Sequence, residues 1–109
     1  MTKAERKEVW IDQIKTAVAM ANEAIRENPS DDGTCNLDRA MIKKEKCFTY
    51  DETIAIFEEC GVSASKYRTG WLLVGNLNGQ AEKNTRWQKT FKYWLEEQGF
   101  KTSMYYQAD

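Results

Sequence analysis

Apolar residues recur at helical spacing along the first quarter of the chain. Trp10, Ile14, Ala17, Val18, Ala21 and Ile25 fall in one stripe when successive residues are turned by about 100°. The stripe predicts a long amphipathic helix from Lys3 to about Glu27, stopped by Pro29 and the polar cluster around it. From Thr34 to Ile42 a first strand is expected, with Cys35 or Leu37 and then Met41 on its apolar faces. Arg39 and the run Lys43, Lys44, Glu45, Lys46 interrupt that alternation. Thr49 followed three residues later by Glu52 has capping-box spacing and opens a second helix carrying Ile54, Ile56 and Phe57, which closes at Gly61.

The second half reads as strand, strand, helix, strand. Val62 to Tyr67 predicts a short strand that turns at Arg68, Thr69 and Gly70. The continuous apolar run from Trp71 to Val74 predicts a central strand covered on both faces. After a loop from Gly75 to Gly79, a third helix places Trp87, Phe91, Trp94 and Leu95 on one arc, and Gly99 ends it, with Phe100 as the accompanying contact. Alternation resumes from Lys101 to Gln107. The expected class is α+β: a small sheet of three to four strands with a β-α-β unit packed by two helices, plus the long N-terminal helix. Residues 1–28 form that helix and 29–109 the compact part of one domain. The helix is expected to complete the core, with homo-oligomer contacts as its alternative use.

Composition narrows the chemistry. The chain has no histidine, which removes the usual general base, the commonest metal ligand and every Ser-His or Cys-His nucleophile arrangement. The balance therefore leans away from an enzyme. A carboxylate or tyrosine base, such as Asp38 or Tyr106, is the catalytic alternative. Three cysteines, Cys35, Cys47 and Cys60, form no C-x-x-C pair and suit neither a disulfide framework nor a cysteine zinc site. Asp31, Asp32 and Asp38 lack the spacing of a calcium loop, so neither metal nor cofactor is expected. The start of the chain is charged, without an apolar signal core, and no apolar run is long enough to cross a bilayer. A cytoplasmic protein with no membrane partner is expected.

Charge is uneven along the chain: residues 1–60 carry nine basic and thirteen acidic side chains, residues 61–109 seven and four. A basic second half favours an anionic partner locally. The Gly75–Gly79 loop, feeding a helix start at what would be the carboxyl edge of a β-α-β unit, concentrates groups suited to a phosphate or nucleotide. Asn76, Asn78, Gln80, Lys83 and Arg86 are the candidates there, with Asn36, Asp38, Trp71 and Tyr106 completing the expected site. The loop lacks the spacing of a P-loop or a dinucleotide fingerprint, and a plain strand-to-helix turn is its alternative. Arg86, Lys89, Lys92 and Tyr93 share the polar side of the third helix, either as a solvated face or as a grip for an acidic protein or phosphate backbone.

Four segments carry a resemblance: GTCNLD at 33–38, GWLLVG at 70–75, Gly79-Gln80 followed by Thr85-Arg86, and the ending from Gly99-Phe100 through Tyr105 to Asp109. Together they resemble small uncharacterised proteins encoded by bacteriophages and prophages of Gram-positive bacteria, over residues 31–109. Leu37 and the polar stretch from Gln80 to Asn84 depart from the pattern. The resemblance implies an accessory binding protein in the host cytoplasm that antagonises host defence by sequestering a small anionic or nucleotide ligand. Inhibition of a host nuclease or effector through its surface, or a small nucleic-acid-binding module, are the alternatives.

Overall fold

The computed structural model describes residues 1–27, 39–75 and 81–105. The elements are α1 (Lys3–Glu27), β1 (Arg39–Lys43), α2 (Tyr50–Glu59), β2 (Ala64–Arg68), β3 (Trp71–Val74), α3 (Ala81–Glu97) and β4 (Thr102–Tyr105). Helix ends follow from short local signals. The Thr2 hydroxyl accepts from the Glu5 amide while the Glu5 carboxylate accepts from the Thr2 backbone, and Thr49 and Glu52 repeat this box on α2. Gly61 and Gly99, both with φ in the left-handed region, close α2 and α3 in the same way. The amide after each glycine, of Val62 and Phe100, returns to the carbonyl of Phe57 and Leu95 at 3.0 Å.

The four strands form one sheet in the order β2-β3-β1-β4, and every hydrogen-bonded pair is antiparallel. The class is α+β, as the pattern predicts. The expected β-α-β unit is present in split form: β3 and β4 point the same way because each runs antiparallel to β1, which lies between them. β1 and β2 are split in turn by β3, and the two interlocked units give a β-α-β-β-α-β plan with α1 added in front. The carboxyl ends of β3 and β4 therefore share one edge, although β1 separates the two strands and no two neighbouring strands are parallel. β1 also begins at Arg39, so the expected strand residues 34–38 lie outside the described part.

One face of this sheet makes the core. Ala40 and Ile42 of β1 and Val74 of β3 are fully buried against Trp10, Ile14, Ala17 and Ala21 of α1, Ile56 and Phe57 of α2, and Trp87, Phe91 and Leu95 of α3. Trp10 is wedged between the rings of Phe48 and Phe100, at 5.3 and 4.6 Å between centroids. Trp87 stacks on Phe91 at 4.9 Å. β3 is covered on both faces from Leu72 to Val74, as expected, but among the described residues helices supply the cover on one face alone. Leu72 and Val74 are fully buried, but Trp71 and Leu73 point to the opposite side, where no helix lies among the described residues.

Polar links hold α1 to the domain toward both of its ends. The Trp87 indole N–H donates to the Asn22 side-chain oxygen at 2.8 Å. Near the start of the helix, the Glu45 carboxylate accepts from Arg6 through both Nε and Nη2 and from the Trp10 indole at 3.2 Å. The Arg6 hydrogen bonds hold the Glu45 carboxyl below its ordinary value. A carboxylate depressed in the folded state stabilises the fold above its unfolded pKa, and the contribution is lost as pH falls through the folded one. Glu45→Gln is expected to cost roughly 1 kcal/mol at neutral pH, discounted for partial exposure of the pair, and to reduce the loss of stability on acidification below the usual carboxylate range. Urea melts of both proteins across that range check it.

Candidate functional site

The face of the sheet turned away from the helices is set by strand alternation. With Ala40 and Ile42 inward, Arg39, Met41 and Lys43 must point outward. The ladders place Tyr105 opposite Arg39, Ser103 and Leu73 beside Met41, and Trp71 opposite Lys43 on the same face. A register shift between Lys66 and Arg68 inserts Tyr67 into the rim of β2. The 18 residues of the four strands include four basic side chains, Arg39, Lys43, Lys66 and Arg68, and no acidic one.

Met41 and Leu73 are only 4% and 8% exposed although no described helix covers them. Aromatic side chains shield them. Tyr67 and Tyr105 belong to the two outermost strands, about 14 Å apart at ordinary strand spacing, yet their rings meet edge to face with centroids 5.5 Å apart. They can do so only by leaning over the inner strands. Cations flank the rings: Lys43 Nζ lies 5.9 Å from the Trp71 ring centre and the Arg68 guanidinium 5.4 Å from that of Tyr67. Tyr67 remains 40% exposed and Trp71 is half-buried.

Arg39 anchors the other end. Its Nε donates to the Val74 carbonyl at 2.7 Å, and no further hydrogen bond to its guanidinium is found among the described residues. Burial lowers its pKa from the ordinary arginine value, while the neighbouring Tyr105 phenol acts in the opposite direction. Arginine still holds its proton at neutral pH. The result is a half-desolvated cation with planar donors directed from a fixed point, beside an aromatic ring.

The expected site is only partly covered by the described residues. Asn36, Asp38, Asn76, Asn78, Gln80 and Tyr106 lie outside them, as does the Lys83 side chain; Lys83 itself belongs to α3. Arg86 is half-buried on α3 and has an interaction partner. Trp71 stands at the opposite end of β3 from Gly75, so it belongs to the outer face rather than to the start of the loop. Arg39, Gly75 and Tyr105, the described residues nearest the remaining candidates, converge at one edge of the sheet. Tyr67, Tyr105, Arg39 and Lys43 were not on the expected list. The available signal was the two-residue period of Arg39, Met41 and Lys43 against Ala40 and Ile42, which the following lysine run obscures. On α3, Lys92 is paired with Glu96 at 2.7 Å and Tyr93 packs edge-on to Trp94, so part of the expected basic helix face is neutralised. Among the described residues no group of histidine, cysteine, aspartate or glutamate could hold a metal.

The edge near Arg39 is held by one buried amide. The β1–β3 ladder ends at Met41 and Leu73, and beyond it Gln88 of α3 reaches in. Its Oε1 accepts from the Ala40 amide at 2.9 Å and its Nε2 donates to the Gly75 carbonyl at 2.8 Å. Gly75 in turn donates to the Ser63 carbonyl at 2.7 Å, and a Cβ at position 75 would lie 1.9 Å from the Ser63 hydroxyl. No family model matches the chain, and no match is found among curated proteins or solved structures.

Gln88→Met would keep the volume and strand two backbone groups, at about 1–3 kcal/mol each. Thermal or urea unfolding is expected to show a loss of about 2–6 kcal/mol.

Proposed function

We propose that the chain is a nucleotide-binding protein that stacks the bases of nucleotides or single-stranded nucleic acid on the outer face of its sheet. The observation that carries this reading is the composition of that face. Tyr67, Trp71 and Tyr105 lie among Arg39, Lys43 and Arg68, with no carboxylate among the described strand residues to repel phosphate. Aromatic rings accept bases of any sequence by their π faces, and nearby cations offset the backbone charge. Arg39 supplies planar donors matched to phosphate or to a base edge. The near-zero net charge of the whole chain speaks for local rather than global attraction.

The reading keeps the nucleotide class expected for the Gly75–Gly79 loop and moves its centre to the adjoining sheet face. Arg39 and Tyr105, at the end of the sheet where β3 closes at Val74, would join the two. The resemblance to phage and prophage proteins would make this an accessory protein that counters host defence by sequestering nucleotides or nucleic acid, and that resemblance alone supports the context.

Anisotropy of a labelled single-stranded oligonucleotide at low salt tests the proposal. Wild-type protein is expected to bind, with affinity falling as salt rises. Trp71→Ala and Tyr105→Ala are each expected to weaken binding by about 1–3 kcal/mol while far-UV spectra stay native. Absence of binding by wild type, or variants that bind unchanged, would exclude the sheet face as a base platform.

A further inference from the structure

At the end of the sheet opposite Arg39, a cleft of about 490 Å³ opens between α1, the β1–α2 connection and the turn before β4. Five basic residues, Arg6, Lys43, Lys44, Lys46 and Lys101, line it, with Glu45 as the one acidic lining residue among those described. Glu45 is already engaged by Arg6 and by the Trp10 indole, so its charge is spent inside the protein. Lys44 is also occupied: its Nζ donates to the Phe48 carbonyl at 3.0 Å and lies 5.2 Å from the Tyr50 ring centre. Lys46 and Lys101 are exposed, and their ammonium groups have no partner among the described residues. In a chain with 16 basic and 17 acidic residues, this is a marked local excess of positive charge.

Lys43 belongs to both surfaces. It closes β1 on the outer face, with Nζ over Trp71, and it also lines the cleft. The aromatic face and the cationic cleft are therefore continuous. A mononucleotide carries its phosphates at one end of its sugar, whereas a polynucleotide presents one at every step, so that a strand can follow both surfaces at once. Resting on the base-stacking reading above, we infer that the ligand is a single-stranded polynucleotide, whose bases lie on the sheet and whose phosphodiester backbone continues past Lys43 into the Lys46–Lys101 cleft. A four-stranded sheet of this kind holds two or three bases, so the gain from the cleft begins at a length of about four nucleotides. Charge complementarity selects this occupant, because among the described residues the cleft offers ammonium groups without a partner at its rim and no carboxylate beyond the engaged Glu45.

The test compares a dinucleotide with oligothymidylates of increasing length, using wild-type protein and Lys46→Ala/Lys101→Ala. Both lysines are exposed, so the variant is expected to keep its fold. Wild type is expected to bind the octamer at least tenfold more tightly than the dinucleotide. The double variant should lose that gain, lower the salt slope by about 1.4 and leave dinucleotide binding unchanged. A second readout is alkylation of the exposed Cys47 on the cleft wall, followed by peptide mass, which the octamer should slow and the dinucleotide should not. Length-independent affinity, an unchanged octamer affinity and salt slope in the double variant, or equal competition by polyglutamate would overturn the inference while leaving base stacking in place. If wild type binds neither ligand, base stacking itself fails and the inference with it.

Discussion

The side-chain amide of Gln88 fixes the register on which both sides of the sheet depend. It is fully buried, it meets the Ala40 amide and the Gly75 carbonyl with the matching ends of one rigid group, and it does so where the β1–β3 ladder stops. A slip of β1 by one residue would bring Arg39 and Met41 toward the helices and send Ala40 and Ile42 outward. The hydrophobic burial of Ala40 and Ile42 opposes that slip, and the Gln88 bonds add direction to it, because an apolar core alone does not specify which backbone group it meets. What stands on the outer face is thus a consequence of what is locked on the inner one.

That division also separates the charges. The acidic side chains of the described residues belong to helices and connections, where they cap α1 and α2 through Glu5 and Glu52, tether α1 through Glu45 and bind Lys92 through Glu96. The strands carry only basic ones. A chain with almost no net charge can in this way keep a locally basic surface, whose field reaches about 10 Å at ordinary ionic strength and is weakened by added salt. Aromatic rings on the same face give such an attraction something to hold besides charge.

Much of the architecture was legible along the chain. The stripe from Trp10 to Ala21, the Thr49–Glu52 box, and Gly61 and Gly99 as helix stops depend on neighbours a few residues apart, and each appears as the pattern predicts. Topology was less accessible, since nothing local tells β1 to enter between β3 and β4. That insertion turned an expected parallel unit into a split one. The apolar run at Trp71–Val74 suggested cover on both sides, because periodicity cannot distinguish burial under a helix from shielding by the rings of Tyr67 and Tyr105 on distant strands. Arg39 read as a break in a strand for a similar reason. Its outward place becomes visible only once Ala40 and Ile42 are known to face the helices. Gln88 carried no signal at all, being one polar residue in a helix until the two backbone groups it serves are brought to it.

The most direct measurement of the account is a titration of isotope-labelled protein with a single-stranded oligonucleotide, following the indole N–H resonances together with the backbone amides. Trp10 and Trp87 are buried on the helical side with bonded indoles, whereas Trp71 stands half-buried on the outer face. Saturable shifts at the Trp71 indole and at the amides of Arg39 to Lys43 and Thr102 to Tyr105, with Trp10 and Trp87 unmoved, are the predicted result. Saturable shifts confined to the exposed faces of α1 and α3, or none at all, would contradict it.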